Sequence, residues 1–316
     1  MKQYRLPHSD LTVSALCCGG GSLGTVLRGE PMDRHLDAFR EAGGNFFDTA
    51  HCYSFWVPGG TGASELALAD YFRRRGGMGN AVIATKGCHP TEPGYRTVDQ
   101  YLSPGRLAAD IDDSLGRLGV GCLDLYWLHR DDLRLDVAEI IGMLNEEVRR
   151  GRIRYLGASN WTSVRIEAAN RYAAAHNLRG FVASQPEWCL AHPNAEVRSP
   201  ARLLHFFDDT DTRWQRQSQI PVVPYTSTAG GYFATGGKTA QAGFDNPTSR
   251  SRLARAEELA RQLGRPPGQI ALAYLTSRSF PVIPILGTTK VDHLREAVNA
   301  LDLVLTAQQI AWLRDG

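Results

Sequence analysis

Four polar residues of complementary chemistry follow apolar segments in this sequence. Asp48 ends the run NFFDT and Tyr53 lies five residues after it, while Lys86 follows AVIAT and His129 follows CLDLYWL. Each run has the length and composition of a buried strand. Because parallel strands present their carboxyl ends at one edge of a sheet, we expect the carboxylate, phenol, ammonium and imidazole to lie close together.

These four groups suit the reduction of a carbonyl by hydride transfer. Such a reaction leaves a developing alkoxide that needs a proton, and a free tyrosine with a pKa of ~10 is a poor donor near neutrality. The Lys86 ammonium is expected to lower the pKa of Tyr53, while the Asp48 carboxylate holds that ammonium in place. The imidazole of His129 is expected to hydrogen-bond the carbonyl oxygen and to favour negative charge there.

Each of these residues also has an ordinary structural explanation when it is taken alone. A lysine after a strand is often solvated, an aspartate before a threonine is often a cap, and a histidine is often structural. The occurrence of all four residue types at the ends of consecutive strands favours a catalytic role over structural ones. Separate structural roles would not be expected to place all four side chains together.

The chain as a whole alternates strand-length and helix-length segments. This alternation predicts the α/β class and a single (β/α)8 TIM barrel domain over residues 1–316. An opening segment, YRLPHSDLTVS, predicts a β-hairpin with its turn at 8–10 that plugs the bottom of the barrel. The predicted barrel strands are SALCCG (14–19), NFFDT (45–49), AVIAT (81–85), CLDLYWL (122–128), RYLGAS (154–159), FVASQ (181–185), VVPY (222–225) and VIPIL (282–286).

Helices and long loops are expected between these strands. Apolar residues at helical spacing predict amphipathic helices over 103–118 and 134–150. The stretch 194–220 is charged and irregular, and 227–250 is rich in Gly, Thr and Ser. We expect both to form long loops on the carboxyl-terminal face, where such loops often bind ligands.

Composition narrows the range of partners. The net charge is only +2 and the basic residues are dispersed, so no nucleic-acid partner is expected. No apolar run approaches the ~20 residues of a membrane span and the amino terminus lacks a secretory signal, so we expect no membrane partner and a cytoplasmic location. The six cysteines lack CxxC spacing and are interpreted as reduced thiols, with no metal site predicted. Homo-oligomerisation is left open.

The order and spacing of these motifs resemble the aldo-keto reductase family. The family's catalytic set is matched by D-x4-Y, K and H on the second, third and fourth strands. Further matches are GASNW (157–161), SQPEW (184–188), PYTS (224–227) and GTTKVDHLREA (287–297), and the resemblance extends from Tyr4 to about Leu313. It implies a barrel enzyme that reduces an aldehyde, ketone or sugar carbonyl, or oxidises the alcohol, with a nicotinamide cofactor.

The resemblance also implies a cofactor site. The nicotinamide carboxamide would be hydrogen-bonded by Ser159, Asn160 and Gln185. Tyr225 would stack on the nicotinamide ring, and residues 226–228 would contact the pyrophosphate. Amide side chains supply both donors and acceptors to a carboxamide, and an aromatic face holds a flat ring. The implied cofactor residues are Gly20, Gly21, Asp48, Ser159, Asn160, Gln185, Tyr225, Thr226, Ser227, Thr228, Gly287, Thr288, Thr289, Lys290, His293 and Glu296.

The segment 287–296 bears on the form of the cofactor. Hydroxyls, a lysine and a helix N-terminus suit the 2'-phosphate that the family holds there, which favours NADP(H) while leaving NAD(H) possible. Many relatives have Arg in place of Thr289 and Asn in place of Ala297, so this end of the site departs from the family pattern.

Aromatic residues are expected to line the substrate end of the site. The residues interpreted as substrate-binding are Tyr53, Trp56, Trp127, His129 and Trp188. Aromatic walls suit either a sugar face or an apolar aldehyde, so the physiological substrate is not specified.

Two other functions compete with a reductase, and one glycine motif suggests a different fold. A cofactor-binding regulatory subunit without catalysis is one, although the complete catalytic set disfavours it. A metal-dependent barrel hydrolase would need further ligands near His129, and no such cluster is visible in the sequence. Gly19, Gly21 and Gly24 satisfy GxGxxG after a strand, but no acidic strand end follows at the distance that a doubly wound fold requires.

Overall fold

The computed structural model describes residues 1–90, 95–96, 100–198, 203–238 and 242–316. Its strands are β1 (Gln3–Arg5), β2 (Thr12–Ser14), β3 (Cys17–Gly19), β4 (Phe46–Asp48), β5 (Val82–Gly87), β6 (Leu123–Leu128), β7 (Ile153–Ser159), β8 (Phe181–Gln185) and β9 (Ile285–Leu286). Its α-helices are α1 (Gly29–Glu41), α2 (Ala63–Arg74), α3 (Pro104–Leu118), α4 (Val137–Arg149), α5 (Ser163–Ala175), α6 (Asp209–Ser218), α7 (Pro247–Leu263), α8 (Pro267–Thr276), α9 (Val291–Asn299) and α10 (Ala307–Asp315). Among the described residues, every helix is too short or too polar to cross a membrane.

Seven parallel strands form one curled sheet in the order β8-β7-β6-β5-β4-β3-β9. The ring closes through the segment 222–225, where Val222 bridges to Ser184 on one side and to Val282 on the other. The predicted (β/α)8 barrel is therefore confirmed, although its seventh strand is reduced to single bridges. Prolines at 221, 224, 281 and 284 explain this reduction, because proline donates no ladder hydrogen bond.

The amino-terminal hairpin closes the bottom of the barrel as predicted. Strands β1 and β2 pair antiparallel, and His8 lies in the turn with a φ of 53°. Leu6, Leu11 and Val13 are buried in the same cluster as the residues of the barrel interior. That interior consists of Cys17, Phe46, Val82, Ala84, Leu125, Trp127, Val182, Ala183, Val223, Ile283 and Ile285.

The outer helices cover the barrel with two further apolar clusters. Helices α1 to α5 bury their apolar stripes on one side, and α7, α8 and α10 bury theirs on the other. The expected helices over 103–118 and 134–150 are present as α3 and α4. Ser103 caps α3 by accepting a hydrogen bond from the backbone N–H of Arg106, with Pro104 at the first position.

The expectation of an irregular loop over 194–220 was wrong in its second half. Helix α6 forms there, because Asp208 caps it and accepts hydrogen bonds from the N–H groups of Thr210 and Asp211. In the second loop, α7 begins at Pro247 behind an Asn246 cap. Positions 199–202 and 239–241 of these loops lie outside the described residues.

Candidate active site

Strands β4, β5 and β6 position the four polar side chains at the carboxyl end of the barrel. Asp48 is the last residue of β4, Lys86 lies near the end of β5, and His129 follows β6 directly. The parallel register sets Asp48 beside Ala84 and Lys86 beside Trp127. All four side chains converge, as the spacing predicts.

Lys86 is the centre of this group. Its Nζ donates to Asp48 Oδ2 at 2.5 Å, to the Tyr53 hydroxyl at 2.9 Å and to the Thr49 carbonyl at 2.8 Å. Only 1% of Lys86 is exposed, so its charge is balanced by the Asp48 carboxylate and not by water. The ring centroids of His129 and Tyr53 lie 6.1 Å apart in an edge-to-face arrangement, so the two side chains border the same small region of the site.

The electrostatics differ in one respect from the sequence-based expectation. Burial raises the pKa of Tyr53 to about 12, and the opposing effect of Lys86 is smaller. The phenol therefore keeps its proton at neutral pH in this structure. Burial disfavours the Lys86 ammonium, but Asp48 and Tyr53 outweigh burial and raise the pKa of Lys86. Burial, followed by His89 and Arg130, holds the pKa of His129 well below its usual range, so its imidazole is neutral.

Two neighbours of His129 have no role in the sequence-based interpretation. Cys52 Sγ lies 3.6 Å from His129 Nδ1, and the ring of His89 lies 4.7 Å from the ring of His129. Cys52 was interpreted only as a buried thiol. The signal available in sequence was its place next to Tyr53 and the place of His89 three residues after Lys86.

His51 lies behind this group. Its Nδ1 is 2.7 Å from the Tyr95 hydroxyl and its Nε2 is 2.9 Å from Asp113 Oδ2. Its backbone N–H donates to the Lys86 carbonyl at 2.8 Å. Arg96 pairs with the buried Asp110 at 2.8 Å beside it. The cluster ties the loop after β4 to α3.

The residues expected around a nicotinamide carboxamide form one hydrogen-bonded network. Gln185 Nε2 donates to Asp48 Oδ1 at 2.9 Å, and Ser159 Oγ donates to the Gln185 carbonyl at 3.0 Å. Asn160 Nδ2 donates to the His129 carbonyl at 3.1 Å, and Asn160 Oδ1 accepts from the Tyr225 hydroxyl at 2.6 Å. The amide groups are thus oriented next to the Lys86 group.

Several loop residues at this end of the barrel adopt left-handed backbone conformations. The φ angles are 74° at Ser54, 57° at Cys88, 61° at Asn160 and 55° at Thr226. Non-glycine residues rarely adopt this region, and such strain concentrates at functional sites. Residue type alone gives little sign of it, except at Asn160, since asparagine tolerates this conformation best.

The two glycines expected at the nicotinamide end differ in their surroundings. A Cβ at Gly20 would lie 2.7 Å from Ser64 Oγ and 2.8 Å from the Asp48 carbonyl, so packing within the protein requires glycine there. A Cβ at Gly21 would meet nothing within 4 Å, so space is open above that backbone. Gly21 is the better placed of the two to face a ligand.

The segments expected to bind the cofactor phosphates follow the seventh and eighth barrel strands. Ser227 is buried and donates to the Ile285 carbonyl at 2.6 Å, while Thr226 and Thr228 are partly exposed. Thr288 Oγ1 accepts from the backbone N–H of Lys290, the residue that precedes α9. Segment 287–296 thus places hydroxyls and a cation at a helix N-terminus, with Gly287, Lys290, His293 and Glu296 exposed. This arrangement fits a phosphate-bearing cofactor.

Only one of the three tryptophans interpreted as substrate-binding faces the opening. Trp56 is 55% exposed and its ring lies 6.3 Å from that of Tyr53. Trp127 is fully buried inside the barrel, because inward and outward positions alternate along β6. Trp188 stacks on Phe207 at 3.9 Å and lines a different cavity of about 220 Å³.

The cavity lined by Trp188 is separate from the cluster formed by Asp48, Tyr53, Lys86 and His129. Its lining includes His192, Arg252 and Tyr274, and none of Asp48, Tyr53, Lys86 and His129 contributes to it. The interpretation of Trp127 and Trp188 as substrate-binding residues therefore needs correction. Sequence could not separate them from Trp56, since all three flank the predicted site in the chain.

Fold and site together define a parallel α/β barrel that carries a buried aspartate, lysine, tyrosine and histidine at the carboxyl ends of its strands. The profile of the Aldo/keto reductase family matches residues 15–315, and the chain belongs to this family. It is therefore an oxidoreductase of a family that uses nicotinamide cofactors and acts on small carbonyl compounds.

Curated relatives match nearly the whole chain. Norsolorinic acid reductase B of Aspergillus parasiticus is 30% identical over 98% of this chain and 83% of its own length. The NADP(+) aryl-alcohol dehydrogenase of Phanerodontia chrysosporium is 27% identical over 98% of this chain and 84% of its own. The uncharacterized oxidoreductase YrpG of Bacillus subtilis is 26% identical over 100% of this chain and 95% of its own.

Proposed function

We propose that this chain, folded as one barrel domain over 1–316, is an NADP(H)-dependent reductase of aldehyde, ketone or sugar carbonyls that also runs in reverse. One observation carries the proposal. Lys86 Nζ is hydrogen-bonded at once to the Asp48 carboxylate and to the Tyr53 hydroxyl, in a buried site at the carboxyl end of the barrel.

Tyr53 is the proton donor in this proposal. Its phenol is protonated at neutral pH, so it can donate to a carbonyl oxygen as negative charge develops there. The phenolate that remains is stabilised by Lys86 at 2.9 Å, and Asp48 keeps Lys86 charged. In the oxidative direction, the same phenolate accepts the proton of the alcohol. When it is bound, the nicotinamide cofactor supplies or accepts the hydride.

His129 orients the carbonyl. A neutral imidazole carries one N–H, and Nδ1 faces the Cys52 thiol at 3.6 Å. We assign the thiol proton to a contact with Nδ1, which leaves Nε2–H as the donor to the carbonyl oxygen. A neutral donor polarises the carbonyl without adding another positive charge beside Lys86.

The cofactor is held by the network described above. Ser159, Asn160 and Gln185 present oriented donors and acceptors to the carboxamide, and Tyr225 presents its ring to the nicotinamide. The α9 N-terminus with Lys290 suits the 2'-phosphate, which favours NADP(H). The fungal aryl-alcohol relative is named for NADP(+), in agreement with this preference.

An aromatic aldehyde is the substrate type that we favour. Phe55 and Trp56 lie edge to face at 5.2 Å beside Tyr53, with Tyr95 5.5 Å from Phe55. Such a wall offers edge and face contacts to an aromatic ring. A curated relative with near-complete coverage is named as an aryl-alcohol dehydrogenase, which supports the same class.

Replacement of Tyr53 tests the proposal directly. Tyr53→Phe is expected to bind NADPH, measured by quenching of protein fluorescence, but to reduce a benzaldehyde roughly 10²–10⁴-fold more slowly, because a positioned acid is lost. Tyr172→Phe on the outer helix α5 is the matched control and should keep wild-type turnover. Undiminished turnover in Tyr53→Phe would disprove the assignment. A wild-type protein that binds NADPH but reduces no aldehyde, ketone or sugar would instead be a regulatory subunit.

A further inference from the structure

Three metal-binding side chains converge next to the proposed catalytic group. One ligand atom each from Cys52, His89 and His129 lies within 4.8 Å of the other two. All three residues are buried, with exposed fractions of 2%, 6% and 7%. In the proposed function the Cys52 thiol serves only to set the tautomer of His129, and the second imidazole, His89, has no part, so that function does not account for the convergence of all three side chains.

The separation between two of the donors suits a tetrahedral metal ion. Cys52 Sγ and His129 Nδ1 are 3.6 Å apart. Bond lengths of ~2.3 Å to sulfur and ~2.0–2.1 Å to nitrogen, set at a tetrahedral angle, separate the two donors by about 3.5 Å. Cys52 and His129 therefore already have the spacing of two ligands of one zinc ion.

The third donor is oriented by its own backbone. His89 Nδ1 lies 3.1 Å from the Pro90 carbonyl oxygen, which places the ring proton on Nδ1 and leaves the lone pair on Nε2. An imidazole that ligates through one nitrogen and donates from the other to a carbonyl is the usual arrangement at zinc sites. Because the ligand atoms lie within 4.8 Å of one another, the His89 side chain must move closer to the other two to complete a set of three ligands.

The backbone around the donors is held in place. Cys88, which precedes His89, donates its N–H to Asp110 Oδ2 at 2.8 Å. The N–H of His129 donates to the Gly87 carbonyl at 3.0 Å, and its carbonyl accepts from Asn160 Nδ2. Because the loops after β5 and β6 are held in this way, little of their conformational entropy would be lost when a metal binds.

We propose that Cys52, His89 and His129 form a binding site for Zn²⁺ with a fourth, open coordination position. The Zn–S bond forms as the S–H bond of Cys52 breaks, and the proton leaves to solvent. Thiolate and imidazole donors favour zinc over magnesium or calcium. Two of the neighbouring cations oppose it weakly, because Lys86 is paired with Asp48 and Arg96 with Asp110, whereas Arg130 donates to the His129 carbonyl and adds a positive charge nearby.

Zinc bound at this site should inhibit the enzyme. The inhibition rests on the proposed function, whereas the metal site itself does not. Zinc bound to Nδ1 of His129 leaves the Nε2–H in place, but it holds the imidazole ring in the orientation that the metal requires and adds a positive charge beside Tyr53. The carboxamide network of Ser159 and Gln185 is untouched. Zinc should therefore block carbonyl reduction while cofactor binding persists.

Cobalt substitution tests the site without any assay of activity. Co²⁺ added to the reduced, full-length protein should produce a thiolate-to-cobalt charge-transfer band and the visible bands of tetrahedral cobalt, both displaced by Zn²⁺. Cys52→Ser should lose the charge-transfer band, and His89→Gln should bind Co²⁺ at least tenfold more weakly. Cys122→Ser is the control, since Cys122 is the more exposed thiol, and it should behave as the wild type.

The activity experiment separates the two proposals. Zn²⁺ should inhibit aldehyde reduction reversibly, with recovery on chelation, and Cys52→Ser and His89→Gln should each need at least ten times more Zn²⁺. A charge-transfer band that persists in Cys52→Ser, or that disappears in Cys122→Ser, would overturn the metal site. Cobalt bands in a protein without any reductase activity would establish the site while the proposed function fails.

Discussion

Asn160 shows how much of the site depends on single side chains. Its backbone is left-handed, with a φ of 61°, and its side chain joins the His129 carbonyl to the Tyr225 hydroxyl. The same Oδ1 accepts from the backbone N–H of His205 at 3.2 Å. Asparagine therefore satisfies a strained conformation and a buried network at once, and few other residues can do both.

Two substitutions at this position separate the conformation from the hydrogen bonds. Asn160→Ala removes the amide and keeps a Cβ in the left-handed conformation, whereas Asn160→Gly removes both the amide and the Cβ. The glycine variant should be more stable than the alanine variant by about 1 kcal/mol in urea unfolding. Both should weaken NADPH binding by about tenfold, or ~1.4 kcal/mol, through loss of the oriented amide. Equal stability of the two variants would contradict the strain argument.

At the scale of elements, the barrel interior is shaped by contacts between neighbouring strands. Trp127 on β6 lies beside Gly157 on β7 in the parallel register. A Cβ at Gly157 would overlap with a carbon of the Trp127 ring. The glycine therefore makes room for the indole beneath Asp48 and Lys86. This is the reason that Trp127 belongs to the core and not to the opening.

Gly157→Ala should destabilise the fold by about 1–3 kcal/mol, the usual cost of overfilling a packed core. The matched control is Gly142→Ala on the exposed face of α4, where a Cβ meets nothing within 4 Å. That variant should stabilise the fold by about 0.5–1 kcal/mol, because glycine is unfavourable inside a helix. Urea unfolding of both variants measures the difference. A Gly157→Ala variant as stable as the wild type would show that the ring moves aside freely.

At the scale of the whole molecule, the proposed cofactor site joins distant parts of the chain. Gly21 lies after β3, Asn160 after β7, Gln185 at the end of β8, Tyr225 in the seventh strand segment and Lys290 before α9. Each is brought to the carboxyl-terminal face by its own strand. A ligand that contacts all of these segments should stabilise the entire barrel and not one loop.

Thermal unfolding with cofactor tests this connection. NADPH at 100 times its Kd should add about 2.7 kcal/mol to the free energy of unfolding and raise the Tm. NADH at the same concentration should raise the Tm less, because it lacks the phosphate that suits Lys290. Lys290→Ala should reduce the Tm shift that NADPH produces and leave the Tm shift with NADH unchanged. Lys2→Ala in the hairpin should change neither Tm shift. Equal loss of both shifts in Lys290→Ala would count against a phosphate contact.

The sequence by itself determined the alternating βα order, the hairpin plug and the convergence of Asp48, Tyr53, Lys86 and His129. These follow from local patterns, because the carboxyl ends of parallel strands must meet at one face. Only the tertiary structure decided features that depend on contacts between distant residues. Burial, which no local pattern measures, reversed the expected direction of the Tyr53 pKa.

The tertiary structure also decided which of several similar residues reach the site. Trp56 faces the opening, whereas Trp127 fills the interior and Trp188 lines another cavity, although each lies near the carboxyl end of a barrel strand in sequence. The approach of Cys52 to His129 depends on how two loops 77 positions apart pack together. Spacing along a chain predicts the end of the barrel to which a residue belongs. The packing of whole elements determines which way its side chain points.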